Sequence, residues 1–425
     1  MRTAELIVGV IWLLTCGIAR AGDADSSGGV QKPPRDALDY ILAVPSVALK
    51  APFWVLGAAV SGPVVLVEES TLPHRIERLF AFDDPWGIYP VVGYKARTGL
   101  TLGAAYFTRS AFGSDIPLSL RGTYSTNTYR FAAARLGDRR LHGSAYGAAV
   151  DGGWRADTRE RFYGIGPGSS RKDQSNYGYR GGFAALHLYR ALGERGEVSL
   201  SGGWRRIDPE DGRLQRIPHD RDSIAARFAG QDLYGLFERL DLYDLGAQVA
   251  GDWRERPPSP LGGGAAAVAV TYTMGEGRAD TAVGFWRVHG DVSHFFELFH
   301  ERVIGVRLTA EHIEPDPGTR VPFYELAKLG GSQLLRGYKT GRFRDRGYAA
   351  LSLEYRWPLW RRIDALLLSD HGRVFHDLLR DFEFSDFRSS YGGGLRFWNN
   401  AGHLALLVAK GTDEWGFYIN FGDSF

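Results

Sequence analysis

The sequence predicts an all-β fold: a transmembrane antiparallel β-barrel of about sixteen strands with a short N-terminal helical segment. Three observations point there. From about Trp86 to Phe425 one unit repeats, a run of alternating polarity followed by a turn or loop rich in Gly, Asp, Asn, Arg or Pro, which is the period-two signature of strands with two different faces. The chain of 425 residues holds 55 glycines, 24 phenylalanines, 20 tyrosines and 11 tryptophans, the residue types that barrel walls and interfacial girdles consume. Beyond the N-terminal apolar segment, the longest uncharged stretch, 51–67, is interrupted by Pro52, Gly57, Gly62 and Pro63 and makes a poor membrane helix.

The chain opens with Arg2, an apolar core over 6–18 and the small-residue site Ala19-Arg20-Ala21 before Gly22, the layout of a secretory signal cleaved after Ala21. A lipoprotein reading through Cys16 puts Thr15 where a small residue is usual. Cys16 is the only cysteine, so a chain cleaved after Ala21 has no disulfide framework, zinc thiolate or cysteine nucleophile. Losing Arg2, Glu5 and Arg20 leaves 49 basic against 48 acidic residues, a balance that argues against a nucleic-acid partner. Residues 22–34 read as a polar linker. Residues 35–85 read as a short helical segment in pieces: Ala37, Tyr40, Ile41 and Val44 share a face up to Pro45, and Ile76, Leu79 and Phe80 share another. It lies at the periplasmic membrane face or plugs the lumen, and both readings stay open.

Residues 86–425 form the expected barrel. Ile304, Val306, Leu308 and Ala310 share one strand face while Arg307, Thr309 and Glu311 share the other; Leu351, Leu353, Tyr355 and Trp357 oppose Ala350, Ser352, Glu354 and Arg356. A soluble sandwich also alternates, but no second set of elements exists to cover so many apolar faces, and aromatic residues such as Tyr355, Trp357 and Trp398 sit at strand ends. Lipid takes the place of the missing layer. Strands are expected to start near Gly87, Gly99, Ile116, Thr128, Ser144, Tyr177, Gly196, Tyr243, Gly264, Thr281, Glu301, Gly347, Asp364, Arg388, Gly402 and Trp415. Connections at Arg97-Thr98, Ser125-Thr126-Asn127 and near Gly193 are tight and are assigned to periplasmic turns, whereas those over 154–176, 208–242 and 314–346 are long and are assigned to outward loops. The end of the chain, Glu414-Trp415-Gly416-Phe417-Tyr418-Ile419-Asn420-Phe421 with Phe425 in phase, resembles an outer-membrane sorting signal, with Gly416, Ile419, Phe421 and Phe425 carrying the match.

The longest loop holds Leu335-Arg336-Gly337-Tyr338, followed by Gly341-Arg342-Phe343-Arg344-Asp345. The first four residues resemble the Val-Arg-Gly-Phe/Tyr turn that the BamA/TamA superfamily of outer-membrane assembly barrels, or bacterial surface antigens, carries before its twelfth strand. Eleven expected strands precede it and five follow. The family's twelfth-strand glutamate falls on Glu354 and its thirteenth-strand Asp-x-Gly-x-x-Phe on Asp370, Gly372 and Phe375. Phe162-Tyr163-Gly164-Ile165-Gly166 is similar to the family's Phe-x-Gly-x-Gly, with Pro167 where an asparagine is usual, and Gly392-Gly393-Gly394 matches its glycine-rich fourteenth strand. The residues make physical sense together. A loop folded into the lumen buries Arg336, and a buried guanidinium needs carboxylates. Glu354 is inward by strand parity, and Asp370 precedes Gly372, which admits a close approach. Arg offers two carboxylates a planar fork that Lys lacks. Gly337 supplies the turn, and Tyr338 is expected to lay its ring on the bare backbone of Gly372.

The resemblance implies an outer-membrane barrel of Gram-negative cells that inserts or translocates polypeptides, or handles lipid, through a lateral seam between its first and last strands. Pro90 in the first strand removes a ladder donor there, and an edge strand tolerating proline is the equal alternative. The family's periplasmic polypeptide-transport modules are not recognisable in 22–85, so the resemblance is to the branch without them. Expected partners are outer-membrane lipid, the barrel assembly machinery for its own insertion, and unfolded outer-membrane or secreted polypeptides. No cofactor, metal or catalytic residue is expected. Gly164-Ile165-Gly166-Pro167-Gly168 lacks the Lys-Ser/Thr of a phosphate loop, no Gly-x-Ser-x-Gly occurs, and the histidines lack metal-ligand spacing. The rival reading is a passive, porin-like diffusion channel on the same barrel.

Overall fold

The computed structural model describes residues 86–421 except 96–98, 127–128, 142, 213–223, 256–258, 278–281, 361–362 and 400–401. The expected signal, linker and helical segment, together with Phe425, lie outside the described residues.

Sixteen strands form one sheet in sequential order, every neighbour antiparallel. They are β1 (Trp86–Lys95), β2 (Gly99–Thr108), β3 (Leu118–Ser125), β4 (Arg130–Asp138), β5 (Tyr146–Phe162), β6 (Ser175–Leu192), β7 (Gly196–Asp211), β8 (Leu240–Asp252), β9 (Gly263–Gly277), β10 (Ala282–Glu297) and β11 (Val303–Pro315), then β14 (Gly347–Trp360), β15 (Ile363–Phe375), β16 (Arg388–Asn399), β17 (Gly402–Lys410) and β18 (Trp415–Phe421). Two further strands, β12 (Ala327–Leu329) and β13 (Phe343–Asp345), pair only with each other, inside the connection from β11 to β14. Each sheet strand starts within three residues of its expected position. The short hairpin was not expected.

Two loop assignments change. Trp154 and Asp208 lie inside β5 and β7, so the long connections shrink to 163–174 and 212–239. The tight connections at 96–98 and 126–129 follow odd-numbered strands, as do 163–174 and 212–239, and therefore lie at the same end as those long loops. Of the three connections assigned to tight turns, only 193–195 is at the other end. Length alone misassigned them because a barrel's outward loops lengthen only where they cover or enter the lumen.

Alternation separates two solvents. Leu245, Leu308 and Leu367 are half exposed on the outer face. Inward positions carry paired charges: Arg135 with Asp151 at 2.9 Å, Arg205 with Asp244 at 2.7 Å and Arg307 with Asp291 at 2.6 Å. Such pairs keep guanidinium groups on a crowded inner wall neutralised. On β16 a Cβ at Gly392 or Gly394 would stand 2.2 and 2.0 Å from the carbonyl oxygens of Val408 and Leu406, so only glycine lets β16 and β17 approach this closely.

The inner and outer faces respond oppositely to charge. Leu308→Arg, near the middle of β11 on the outer face, is expected to destabilise the barrel by about 2–4 kcal/mol in lipid vesicles. A denaturant midpoint that does not move would mean this face is not lipid-exposed.

Candidate functional site

The connection 316–346 returns into the barrel and is held there by an aromatic core. Phe323 opens the 3-10 turn Phe323–Glu325 and packs edge-on to Phe162 and Tyr177, with ring centroids 5.4 and 4.9 Å apart, while Phe162 meets Phe228 at 4.9 Å. Edge-to-face packing of this kind is worth about 0.5–1.5 kcal/mol per pair beyond area burial. Phe228 follows the short helix α1 (Ile224–Arg227), so the 212–239 loop covers the same cluster. From there β12 and β13 form the stem of a hairpin, with Ala327 opposite Asp345 and Leu329 opposite Phe343. Its tip turns on positive φ at Gly330, Gly331, Leu335, Gly337 and Gly341. Leu335 takes a left-handed conformation without being glycine, which costs roughly 1–3 kcal/mol and is offset by complete burial of its side chain.

Three guanidinium groups, two at the tip and one in the stem, fasten this hairpin to three sectors of the wall. Arg336, with a side chain 1% exposed, donates Nε and Nη2 to the two oxygens of Asp370 on β15 at 2.9 and 2.8 Å. Its backbone N–H also donates to Asp370 Oδ2 at 2.8 Å, and Nη1 reaches Glu354 on β14 at 3.4 Å. Burial alone lowers the Arg336 pKa, but the charge and hydrogen bonds of Asp370, joined by Glu354, outweigh it and hold the group above its ordinary value. Arg342 Nε donates to Glu414 Oε1 at 3.1 Å, in the connection from β17 to β18, and its guanidinium lies 4.9 Å over the Tyr163 ring. Arg344 donates to Tyr177 Oη at 3.0 Å and to the Arg161 carbonyl at 2.6 Å, and Gly166 N–H returns a bond to the Arg344 carbonyl at 2.8 Å.

Between the first two anchors the tip reaches the last strand directly. Gly337 N–H donates to Tyr418 Oη at 2.9 Å, and Tyr418 Oη donates to the Tyr338 carbonyl at 3.2 Å. Lys339 N–H donates to Glu414 Oε2 at 3.1 Å, and Thr412 N–H to Tyr338 Oη at 3.0 Å. With φ of 101° at Gly337 and a would-be Cβ 2.7 Å from the Gly411 nitrogen, no other residue fits there.

A sixteen-strand sheet with a basic lumenal loop agrees with the family model that matches the sequence, the Omp85 superfamily domain, over residues 103–425. This chain belongs to the Omp85 superfamily. Among solved structures it is similar to BamA from Haemophilus ducreyi lacking POTRA domains 1–3, at 17% identity and a TM-score of 0.59, covering 80% of this chain and 69% of that one. It is also similar to CdiB from Escherichia coli, at 14% identity and a TM-score of 0.50, covering 80% of this chain and 62% of that one. At these identities the likeness concerns the fold. No curated protein matches the sequence.

In this Omp85 barrel the structure brings Arg336, Gly337, Tyr338, Glu354 and Asp370 together. It does not bring Gly372 under Tyr338: the space at Gly372 is filled by Leu329, and the Tyr338 ring instead covers Gly411, whose would-be Cβ lies 2.6 Å from it. Phe375 is also outside the cluster and stacks on Phe382, centroids 5.5 Å apart. Both differences come from the hairpin stem, which puts Leu329 beside β15 and carries Tyr338 on toward β17. Of the terminal residues, Gly416 and Ile419 sit in β18 opposite Ala409 and Leu406, the Phe421 side chain is not described, and Pro90 pairs with Ala104. The sequence reading missed Arg342, Arg344, Glu414 and Tyr418. The alternation in β18 already set Tyr418 opposite the face of Phe417 and Ile419, which was the available signal. Among the described residues no group of His, Asp and Glu is arranged to hold a metal.

The site is sensitive to loss of a single partner. Asp370→Asn removes the charge that both ends of the Arg336 fork meet and leaves Glu354, which Arg356 shares, and is expected to cost about 3–5 kcal/mol, read as a lower denaturant midpoint of the folded barrel. Tyr418→Phe removes both bridging bonds and is expected to cost about 1–3 kcal/mol, with a non-additive cycle against Gly337→Ala. The stem adds a pH dependence. Burial raises the Glu325 carboxyl pKa, but Arg205 and then Arg287 and Lys328 bring it down to about 2 from 4.5. Because the folded value is depressed, Glu325 stabilises the loop above about pH 4.5, and that contribution is lost as pH falls through about 2. Glu325→Gln is expected to flatten the acid limb of proteolytic protection of 316–346; an unchanged limb would remove Glu325 from the anchor.

Proposed function

We propose that this barrel inserts or translocates polypeptides at the outer membrane of a Gram-negative cell by opening a seam between β1 and β18, and that the loop 316–346 is the latch of that seam. The observation that carries the reading is that the loop fixed to β14 and β15 by Arg336 is also bonded to β18 by Tyr418 and to the connection before it by Glu414. A strand edge released at the seam presents unpaired N–H and C=O groups, the template on which a client strand adds. Moving β18 outward breaks the Tyr418 bridge, so the latch sets the free energy of opening. Pro90 weakens the ladder on the β1 side. The latch residues hold and release; they transform nothing. Clients are unfolded outer-membrane or secreted polypeptides, with membrane lipid as the surrounding partner and the barrel assembly machinery inserting the protein itself.

A simple diffusion channel fits less well. Besides the loop, the connection from β8 to β9 reaches the wall elsewhere: Arg356 donates to the Pro260 carbonyl at 3.2 Å and Arg396 to Ser259 Oγ at 2.6 Å. Two inward-folded segments obstruct a pore.

The test is reconstitution into lipid vesicles with an unfolded barrel client. Faster client folding that is lost in Arg336→Glu and partly regained when Glu354→Arg is added supports the proposal. Conductance to small solutes with no effect on the client selects the channel. Photocrosslinking from 416–421 in intact cells then identifies what meets the seam.

A further inference from the structure

Two further guanidinium groups on the inner wall, Arg356 on β14 and Arg396 on β16, are buried with side chains 3% exposed, although the bonds of the loop 316–346 do not need them. Arg356 follows Glu354 by two residues and so shares its face of the strand. Its Nε stands 3.4 Å from Glu354 Oε1, while Arg336 Nη1 stands 3.4 Å from Glu354 Oε2. One carboxylate thus serves two guanidinium groups.

The other side of Arg356 faces a different segment. Its Nη2 donates to the Pro260 carbonyl at 3.2 Å, and Arg396, paired with Asp364 at 2.8 Å, donates to Ser259 Oγ at 2.6 Å. Ser259 and Pro260 belong to the connection from β8 to β9, at the end of the barrel opposite the loop 316–346. A line of bonded groups therefore runs from that end, through Arg356 and Glu354, to Arg336. Leu366 and Leu368 stand directly across from Arg356 and Glu354 and belong to the apolar cluster that holds Tyr418. Apolar neighbours screen charge poorly, so the placement of the Arg356 charge is felt at Arg336.

We propose that Arg356 is the positioning residue through which the β8–β9 connection sets the strength of the latch. Bonded to Pro260, it leaves one oxygen of Glu354 to Arg336; released from Pro260, it turns its whole charge onto Glu354 and displaces Arg336. The inference rests on the latch reading and adds its regulation: a polypeptide that enters at the β8–β9 end and dislodges Ser259 and Pro260 loosens the loop at the other end. The sign of the effect is diagnostic. Arg356 repels Arg336 and competes with it for Glu354, so removing its charge makes the loop harder to release. A guanidinium that only held the wall together would leave the loop looser when removed.

The test is hydrogen exchange of the full chain in lipid vesicles, read by mass spectrometry on peptides holding the Arg336 and Gly337 N–H groups, which exchange when the loop leaves Asp370 and Tyr418. Ser259→Ala removes the Arg396 bond, frees the connection and is expected to speed this exchange about fivefold or more. Arg356→Gln is expected to slow it by about as much and to abolish the effect of Ser259→Ala in the double variant. Arg356→Lys keeps the charge but lacks the fork that reaches Glu354 and Pro260 together. It is expected to exchange as fast as Ser259→Ala and to be insensitive to that change, which carries the test if Arg356→Gln does not fold. Exchange in Arg356→Gln as fast as wild type or faster, a Ser259→Ala variant equal to wild type, or a Ser259→Ala effect that persists in either Arg356 variant each overturns the proposal. No client is present in this experiment, so its failure leaves the insertion reading standing, and a barrel that shows the linkage but folds no client loses only that reading.

Discussion

A guanidinium taken out of water is the constraint on which the rest of the lumen depends. Arg336 is buried in a fold that could have left its loop in solvent, and the desolvation cost of an isolated cation, several kcal/mol, is recovered only if carboxylates meet it in good geometry. Asp370 does so with both oxygens and takes the backbone N–H as well, so the turn itself, and not merely the side chain, is fixed. Once that turn is fixed, Gly337 and Tyr338 have one place to go, against Gly411 and Tyr418. A single charge pairing thereby ties the loop on β14 and β15 to the last strand, which the ladder through β16 and β17 already places.

The second constraint is volume. A sixteen-strand barrel encloses more space than wall side chains fill, and the remainder becomes water, loop or both. Here the loops from β7 and from β11 supply a small aromatic core of their own around Phe162, Phe323 and Phe228. That core explains how a loop of Arg, Lys and Gly is stable inside a barrel: it is carried on an apolar stem and neutralised at its tip. The packed loop also walls off a lumenal cavity of roughly 400 Å³ between its 3-10 turn and the inner face of the sheet.

Membership of the Omp85 superfamily and the bonding of the loop to β18 bear on function in different ways. The family gives the architecture. The bonding gives a physical link between the lumenal loop and the last strand, through hydrogen bonds to one tyrosine and one glutamate. Burial of Arg336, Arg342 and Glu414 makes such contacts strong when complete and costly when broken.

The sequence by itself determined the strands, because a period of two and a change of solvent across each wall are local properties that every residue must satisfy. It also determined the sixteen-strand count and the inward direction of Glu354, which follows from parity alone. It did not determine which glycine would receive Tyr338, where Phe375 would pack, or at which end the tight connections lie. Those depend on how far a loop travels after it leaves its strand, and neither composition nor periodicity encodes travel. Only the tertiary structure brought Arg342 and Arg344 to Glu414 and Tyr177, more than seventy residues away along the chain. Long-range charge pairing is selected by desolvation after the barrel has formed, and so it is written in the fold before it can be read in the chain.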